Sequence, residues 1–203
     1  MNANLVSLVS IETNIEISTF MNLEEEKQLV DDARTDSASF GKLYDFYFGK
    51  VFGFVAAKVN DRGDAEDITS EVFMKALENL DNFEWRGMPF AAWLFTIARN
   101  TIINYYEKSG RTKHSSLDEA FHVKDDKREV SPHKKAEQEE LSSKVRHVLG
   151  QLSEKELNVV QLKFFGELNN REIMKVTGLS ESNVGIILYR TLRKIKPDLK
   201  DIY

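Results

Sequence analysis

The chain has 203 residues, 41% of them hydrophobic and 30% charged, with a formal net charge of −5. That balance belongs to a globular protein with room for one large or two small cores, and it excludes disordered and collagen-like chains. The absence of cysteine removes disulfide frameworks, thiol nucleophiles and Cys-ligated zinc. It also fits a reducing, cytoplasmic setting. No run approaches the ~18 apolar residues a membrane helix needs, so no membrane insertion is expected. The first basic residue is Lys27, which leaves the apolar start without the basic flank of a signal peptide. Charge is unevenly spread. Residues 1–89 hold 8 basic and 17 acidic side chains, residues 90–136 hold 9 and 6, and residues 137–203 hold 11 and 10. An acidic front and a mildly basic remainder point to two unlike partners.

Only Pro89, Pro132 and Pro197 interrupt the chain, and long stretches without a breaker favour helices. The expected fold is all-α: two helical domains joined by a flexible linker, the second containing a helix-turn-helix. Residues 1–22 carry a short alternation from Ile11 to Ile17 that has no partner strand, and they read as a tail. Residues 23–108 form the first helical module. Residues 109–135 are polar, with Gly110, Pro132 and charge clusters, and read as linker. Residues 136–203 form the second module. Its helix starts are marked by Ser153 with Glu156, by Asn169 with Glu172, and by Ser180, the last helix running to about Ile195.

In the first module, Asp61 to Leu80 opens with Asp64, Glu66 and Asp67, which suit a helix N-terminus. Asp67 and Glu71 lie one turn apart and repel unless a cation answers them. With Glu78 they form an acidic stripe beside Ile68, Val72 and Leu77, a surface suited to a basic protein partner. The next helical stretch, Phe90 to Lys108, places Ala91, Leu94, Phe95, Ala98, Ile102, Tyr105 and Tyr106 on one apolar stripe. Trp93, Thr96, Asn100 and Asn104 fall on the other side, followed by Lys108, Arg111 and Lys113. Aromatic stripes are usually core. A face of Trp and amides followed by basic residues also suits single-stranded nucleic acid, with bases stacking at ~1–3 kcal/mol each.

From Asn169 the second module reads as two helices around Gly178, a position that favours positive φ. Val184, Ile187, Leu188, Thr191 and Ile195 make an apolar stripe, and Ser182, Ile186, Tyr189, Arg190, Arg193 and Lys196 collect opposite it. Such a helix fits the major groove, with Ser182, Asn183 and Ile186 near base edges, Gly185 allowing close approach, and Arg190, Arg193 and Lys196 on phosphates. Spacing alone fits an ordinary helical hairpin with solvated basic residues equally well. Met174 stands where helix-turn-helix motifs usually keep a small residue. His114, His122, His133 and His147 lack metal-site spacing, and no nucleophile-elbow, Walker or dinucleotide glycine motif occurs. No cofactor, metal or catalytic residue is expected, and the chain does not read as an enzyme.

Read in order, FGKLYDFYFGKVFGFV at 40–55, DAEDITSEVFMKAL at 64–77, WRGMPFAAWLFTIARN at 85–100 and LSEKELNVVQLKFFGELNNREI at 152–173 resemble the extracytoplasmic-function sigma factors of bacterial RNA polymerase. The resemblance runs from Leu23 to Pro197, the linker matching only in length and polarity. It implies that Asp64, Asp67 and Glu71 bind the β′ clamp helices of core RNA polymerase. It further implies that the loop carrying Trp85 and Arg86, with Trp93, Asn100, Asn104, Lys108 and Arg111, recognises and opens the −10 promoter element. Asn100 matches the family position lining a pocket for a flipped base. The Ser180–Lys196 helix would read the −35 element, while apolar surface of the second module touches the β flap. An anti-sigma factor is the further partner the family implies. The competing reading is a stand-alone helix-turn-helix regulator binding a palindrome as a dimer.

Overall fold

The computed structural model describes residues 21–59, 61–85, 88–109 and 148–200. The 11–17 alternation, the 110–135 part of the expected linker, the four histidines, Arg86 and Arg111 lie outside the described residues. Every regular element described is helical.

In the first module α1 (Leu23–Ala33) begins at a capping box in which Asn22 and Glu25 exchange hydrogen bonds, a start the sequence reading placed only as the end of a tail. Asp36 caps α2 (Ser37–Ala56), and Asp61 caps α3 (Arg62–Glu78). A 3-10 turn (Leu80–Asn82) follows, and α4 (Phe90–Ser109) is the last described helix of the module. Their shared core includes Val30, Leu43, Val51, Phe54, Val72, Phe90, Leu94 and Phe95, all without measurable exposure. Close packing of these rings and branched chains is the main stabilisation of the module.

In the second module the anticipated start signals are all present. Ser153 and Glu156 form the capping box of α5 (Glu154–Phe164), and Asn169 and Glu172 that of α6 (Asn170–Thr177). Gly178 then turns the chain with φ 77°, in the left-handed region. Ser180 Oγ accepts the Asn183 N–H at the start of α7 (Glu181–Lys200). α7 continues past the expected end near Ile195, because Pro197 falls near its C-terminus and costs only one i→i−4 hydrogen bond there.

The two modules pack on each other. Phe165, after α5, lies against Gly53 of α2 so closely that a Cβ there would sit 2.8 Å from its ring. Lys50 of α2 is buried, and its ammonium is 2.9 Å from the Glu167 carboxylate and 4.3 Å from the centre of the Phe46 ring. A buried charge needs such a partner. Lys58 donates to Gln161, and α4 runs alongside α6. Val159, Leu162 and Ile173 of the second module are thereby continuous with Phe54 and Phe95 of the first.

Candidate nucleic-acid and polymerase interfaces

The α7 helix separates its residues as the 3.6-residue period requires. Val184, Leu188, Thr191 and Ile195 are buried against α5 and α6, and Ile187 is half-buried. Ser182, Ile186, Tyr189, Arg190, Arg193 and Lys196 are all exposed on the opposite side, Ile186 at 49% and Tyr189 at 67%. Asn183 is half-buried behind its backbone bond to Ser180. The neighbour of Gly185 is Asn170 of α6, whose amide would lie 3.6 Å from an added Cβ. Met174 is half-buried. Lys194 belongs to the scaffold, since its ammonium reaches the Gln151 carbonyl at 2.6 Å. Arg190, Arg193 and Lys196 form no ion pair among the described residues. The result is a cationic helix face with a short polar and apolar tip, which is the chemistry of groove docking.

On α4 the apolar stripe is where the sequence placed it: Ala91, Leu94, Phe95, Ala98 and Ile102 are buried, and Tyr105 and Tyr106 partly so. Trp93 is half-buried, and Asn100, Asn104 and Lys108 continue its side of the helix as exposed residues. The Trp93-to-Lys108 line spans roughly 22 Å along the axis. Trp93 stacks obliquely on Phe83 and Phe90, with ring centres 4.9 and 5.5 Å apart, and Trp85 meets Phe83 edge-on at 5.1 Å. The Trp85 indole nitrogen is buried without a hydrogen-bond partner. Two groups that sequence reading missed, Glu26 of α1 and Arg34 at its C-cap, hold this cluster. Arg34 donates to the Asp81 and Phe83 carbonyls at 2.9 and 2.7 Å, and Glu26 accepts from the Ala91 N–H at 3.2 Å and from the Tyr47 hydroxyl. Burial pushes the Glu26 carboxyl above the usual range, against the lowering effect of those hydrogen bonds. Tyr47 is likewise raised by burial and by the facing Glu26.

The acidic helix α3 is partly reassigned. Asp67 and Glu71 are exposed, but Asp64 is half-buried and accepts a hydrogen bond from the Tyr105 hydroxyl of α4 at 2.5 Å. The Asp64 carboxylate is therefore shared with the module's own scaffold. Lys75 answers Glu71 at 2.6 Å and also reaches Thr101, so the cation that the Asp67–Glu71 repulsion called for is intramolecular. Ile68 and Val72, expected at the apolar edge, are core residues at 3% and 0% exposure. The exposed apolar side chains are Met74 and Leu77, at 61% and 52%. A period of 3.6 places Asp67, Glu71, Met74 and Glu78 on one exposed stripe that is both acidic and apolar. Met74 lies inside that stripe, between Glu71 and Glu78, and could have been read from it.

Among the described residues no cluster of His, Asp or Glu could hold a metal ion, and no helix is long and apolar enough to cross a membrane.

Comparison with known proteins shows the family. Residues 43–112 match the family described as Sigma-70 region 2, and residues 148–196 match Sigma-70, region 4. A protein described as a probable RNA polymerase sigma factor of Haemophilus influenzae is 32% identical over 158 residues, covering 70% of this chain and 79% of that one. The ECF RNA polymerase sigma factor BldN of Streptomyces coelicolor is 29% identical over 175 residues, covering 86% of this chain and 66% of its own length. Among solved structures, CnrH in complex with the cytosolic domain of CnrY shares the fold, with a TM-score of 0.58 and 22% identity over 87% of this chain and 97% of that chain. The chain thus belongs to the RNA polymerase sigma factors, within their extracytoplasmic-function group.

Proposed function

We propose that the three surfaces divide the work of promoter-specific initiation. The Asp67, Glu71, Met74 and Leu77 face of α3, with a contribution from Asp64, docks on the β′ clamp helices of core RNA polymerase. Trp85, Trp93, Asn100, Asn104 and Lys108, together with Arg86 and Arg111 from outside the described residues, recognise and open the −10 element. Ser182, Asn183 and Ile186 read −35 base edges while Arg190, Arg193 and Lys196 hold phosphates. Apolar surface of the second module meets the β flap. The chain performs no catalysis of its own; it supplies specificity to a polymerase serving a stress- or signal-responsive gene set. An anti-sigma factor is the partner that would hold it silent.

The observation that carries this reading is the single line of half-buried Trp93 and exposed Asn100, Asn104 and Lys108 beside an aromatic loop. A π-face, amide groups and a cation in series match the needs of an unpaired strand, whose bases stack and whose backbone is tracked by positive charge. The net acidic charge is no obstacle, because affinity for DNA is delivered through the polymerase while the basic side chains act locally.

Reconstitution with core polymerase from the same host tests the reading. Mapping of 5′ transcript ends after overexpression defines the promoter, and permanganate reactivity of unpaired thymines reports its opening. Asn100→Ala should impair opening more than duplex binding, because a flipped base loses its pocket. Equal loss of both would remove Asn100 from the assigned role, and failure to bind core polymerase would end the proposal. Tight dimeric binding to duplex DNA without polymerase would instead favour the stand-alone regulator.

A further inference from the structure

The segment between α3 and α4 carries Phe83 and Trp85, which with Phe90 and Trp93 make up the ring cluster on which the opening surface is built. The 3-10 turn ends at Asn82, and α4 begins at Phe90. Both ends are tied to α1, an element that itself presents none of the proposed DNA-contacting side chains. At one end the Arg34 guanidinium donates through Nη1 to the Asp81 carbonyl and through Nη2 to the Phe83 carbonyl. Its Nε lies 3.6 Å from Asp31 one turn earlier, which orients the fork. At the other end the buried Glu26 carboxylate accepts the Ala91 N–H, in the first turn of α4, and the Tyr47 hydroxyl. These partners are 47, 49 and 65 residues distant in sequence, so the bonds are tertiary ties and not local caps.

The chemistry of each tie suits positioning. A planar guanidinium meets two carbonyls at once in a fixed geometry, which an ammonium cannot do. A charged acceptor on a backbone N–H makes a bond stronger than a neutral one. Between the two ties Phe83 contacts Trp85, Trp93 and Phe90, so fixing the Phe83 carbonyl and the Ala91 amide fixes the platform from both sides. Moving either tie would tilt the rings without removing a DNA-contacting side chain.

We propose that Arg34 is a positioning residue for promoter opening, which, with Glu26, pins both ends of the Phe83–Ala91 segment to α1 and presets the Trp85 and Trp93 rings. The inference rests on the reading that this surface opens the −10 element. It extends the functional machinery to a helix to which no DNA contact is assigned.

The test uses the full chain with core polymerase and the promoter defined by transcript mapping, comparing wild type with Arg34→Ala and Arg34→Lys. The only tryptophans in the chain are Trp85 and Trp93, so tryptophan emission of the free chain reports on the pinned cluster. Arg34→Ala should shift tryptophan emission and slow permanganate-detected opening about tenfold, with core affinity held within about twofold, as small misplacements of reacting groups cost rate more than binding. Arg34→Lys, which keeps the charge and loses the fork, should resemble Arg34→Ala in emission and opening. Should the alanine variant not fold, the lysine variant provides the same comparison.

Wild-type opening in both variants would overturn the proposal. So would a loss of core affinity by the same factor as opening, because that marks general destabilisation. If wild type itself opens no promoter, the function reading fails. The emission shift would still decide whether the guanidinium holds the rings.

Discussion

The contact between modules turns on one missing side chain. In Gly53→Ala the new Cβ would lie 2.8, 3.3 and 3.4 Å from three atoms of the Phe165 ring, where carbon pairs prefer ~3.5–4.0 Å. Those ring atoms are the nearest neighbours of the site, and Phe165 is itself buried at 6% exposure, so the ring has little room to yield. Overpacking of this kind costs about 1–3 kcal/mol. Within α2 the same change is favourable by about 0.8–1 kcal/mol, since alanine suits a helix interior better than glycine. The variant should therefore keep or improve the stability of its first module while weakening its hold on the second. A difference of about 1–3 kcal/mol moves the packed-to-parted ratio by about 5–150-fold. The assay is a distance measurement between labels on cysteines placed at Lys27 and Lys155, both exposed, in a chain that has no other cysteine. Wild type should give one short distance and Gly53→Ala a longer component, with no fall in the urea midpoint of the first module. An unchanged distance distribution would refute the reasoning.

Gly178→Ala should destabilise the second module by about 1 kcal/mol in urea unfolding: a left-handed residue with a Cβ costs about 1–2 kcal/mol, partly offset by the less flexible unfolded chain. The structure supplies no steric term, because nothing lies within 4 Å of the added atom, and Gly178→Asn should lose less. A neutral or stabilising alanine would contradict the φ of 77°. Arg193→Ala should flatten the salt dependence of duplex binding by about 0.9 in log–log slope, so that its deficit at 50 mM salt shrinks about threefold by 200 mM. An unchanged slope would take Arg193 off the phosphates.

Local physics was readable residue by residue. The Ser153–Glu156 and Asn169–Glu172 boxes, the Gly178 turn, the two-sided α7 helix and the buried stripe of α4 all follow from spacing, because each depends on neighbours within a turn or two. What escaped is tertiary. Nothing around Glu26 or Arg34 announces that one is buried beneath α4 and the other holds carbonyls 47 and 49 residues away. Asp64 looked like a solvent-facing acid, and its tie to Tyr105 depends on how two helices cross. The apolar edge of α3 was right at Leu77 and wrong at Ile68 and Val72 for a related reason. Ile68 and Val72 belong to the core side of that helix, whereas Met74 and Leu77 lie outward, and only the packing of α2 and α4 tells which side is covered. The Gly53–Phe165 contact could not be anticipated at all, since a glycine in a helical run usually signals only weak propensity.

The packed arrangement bears directly on the proposed division of labour. Elements centred near −10 and −35 are about 25 base pairs apart, which is about 85 Å along B-form DNA. A compact body of about 150 residues has a radius of gyration near 15 Å, hence a diameter of about 40 Å. If α4 reads one element while α7 reads the other, the modules cannot remain pressed together through Phe165 and the Lys50–Glu167 pair. The covalent chain permits separation, since residues 110–147 can reach more than ~100 Å when extended. The Lys27 and Lys155 labels must accordingly move apart when the holoenzyme occupies its promoter. A distance that stays short on promoter DNA would mean that at least one of the two helices is not on its assigned element.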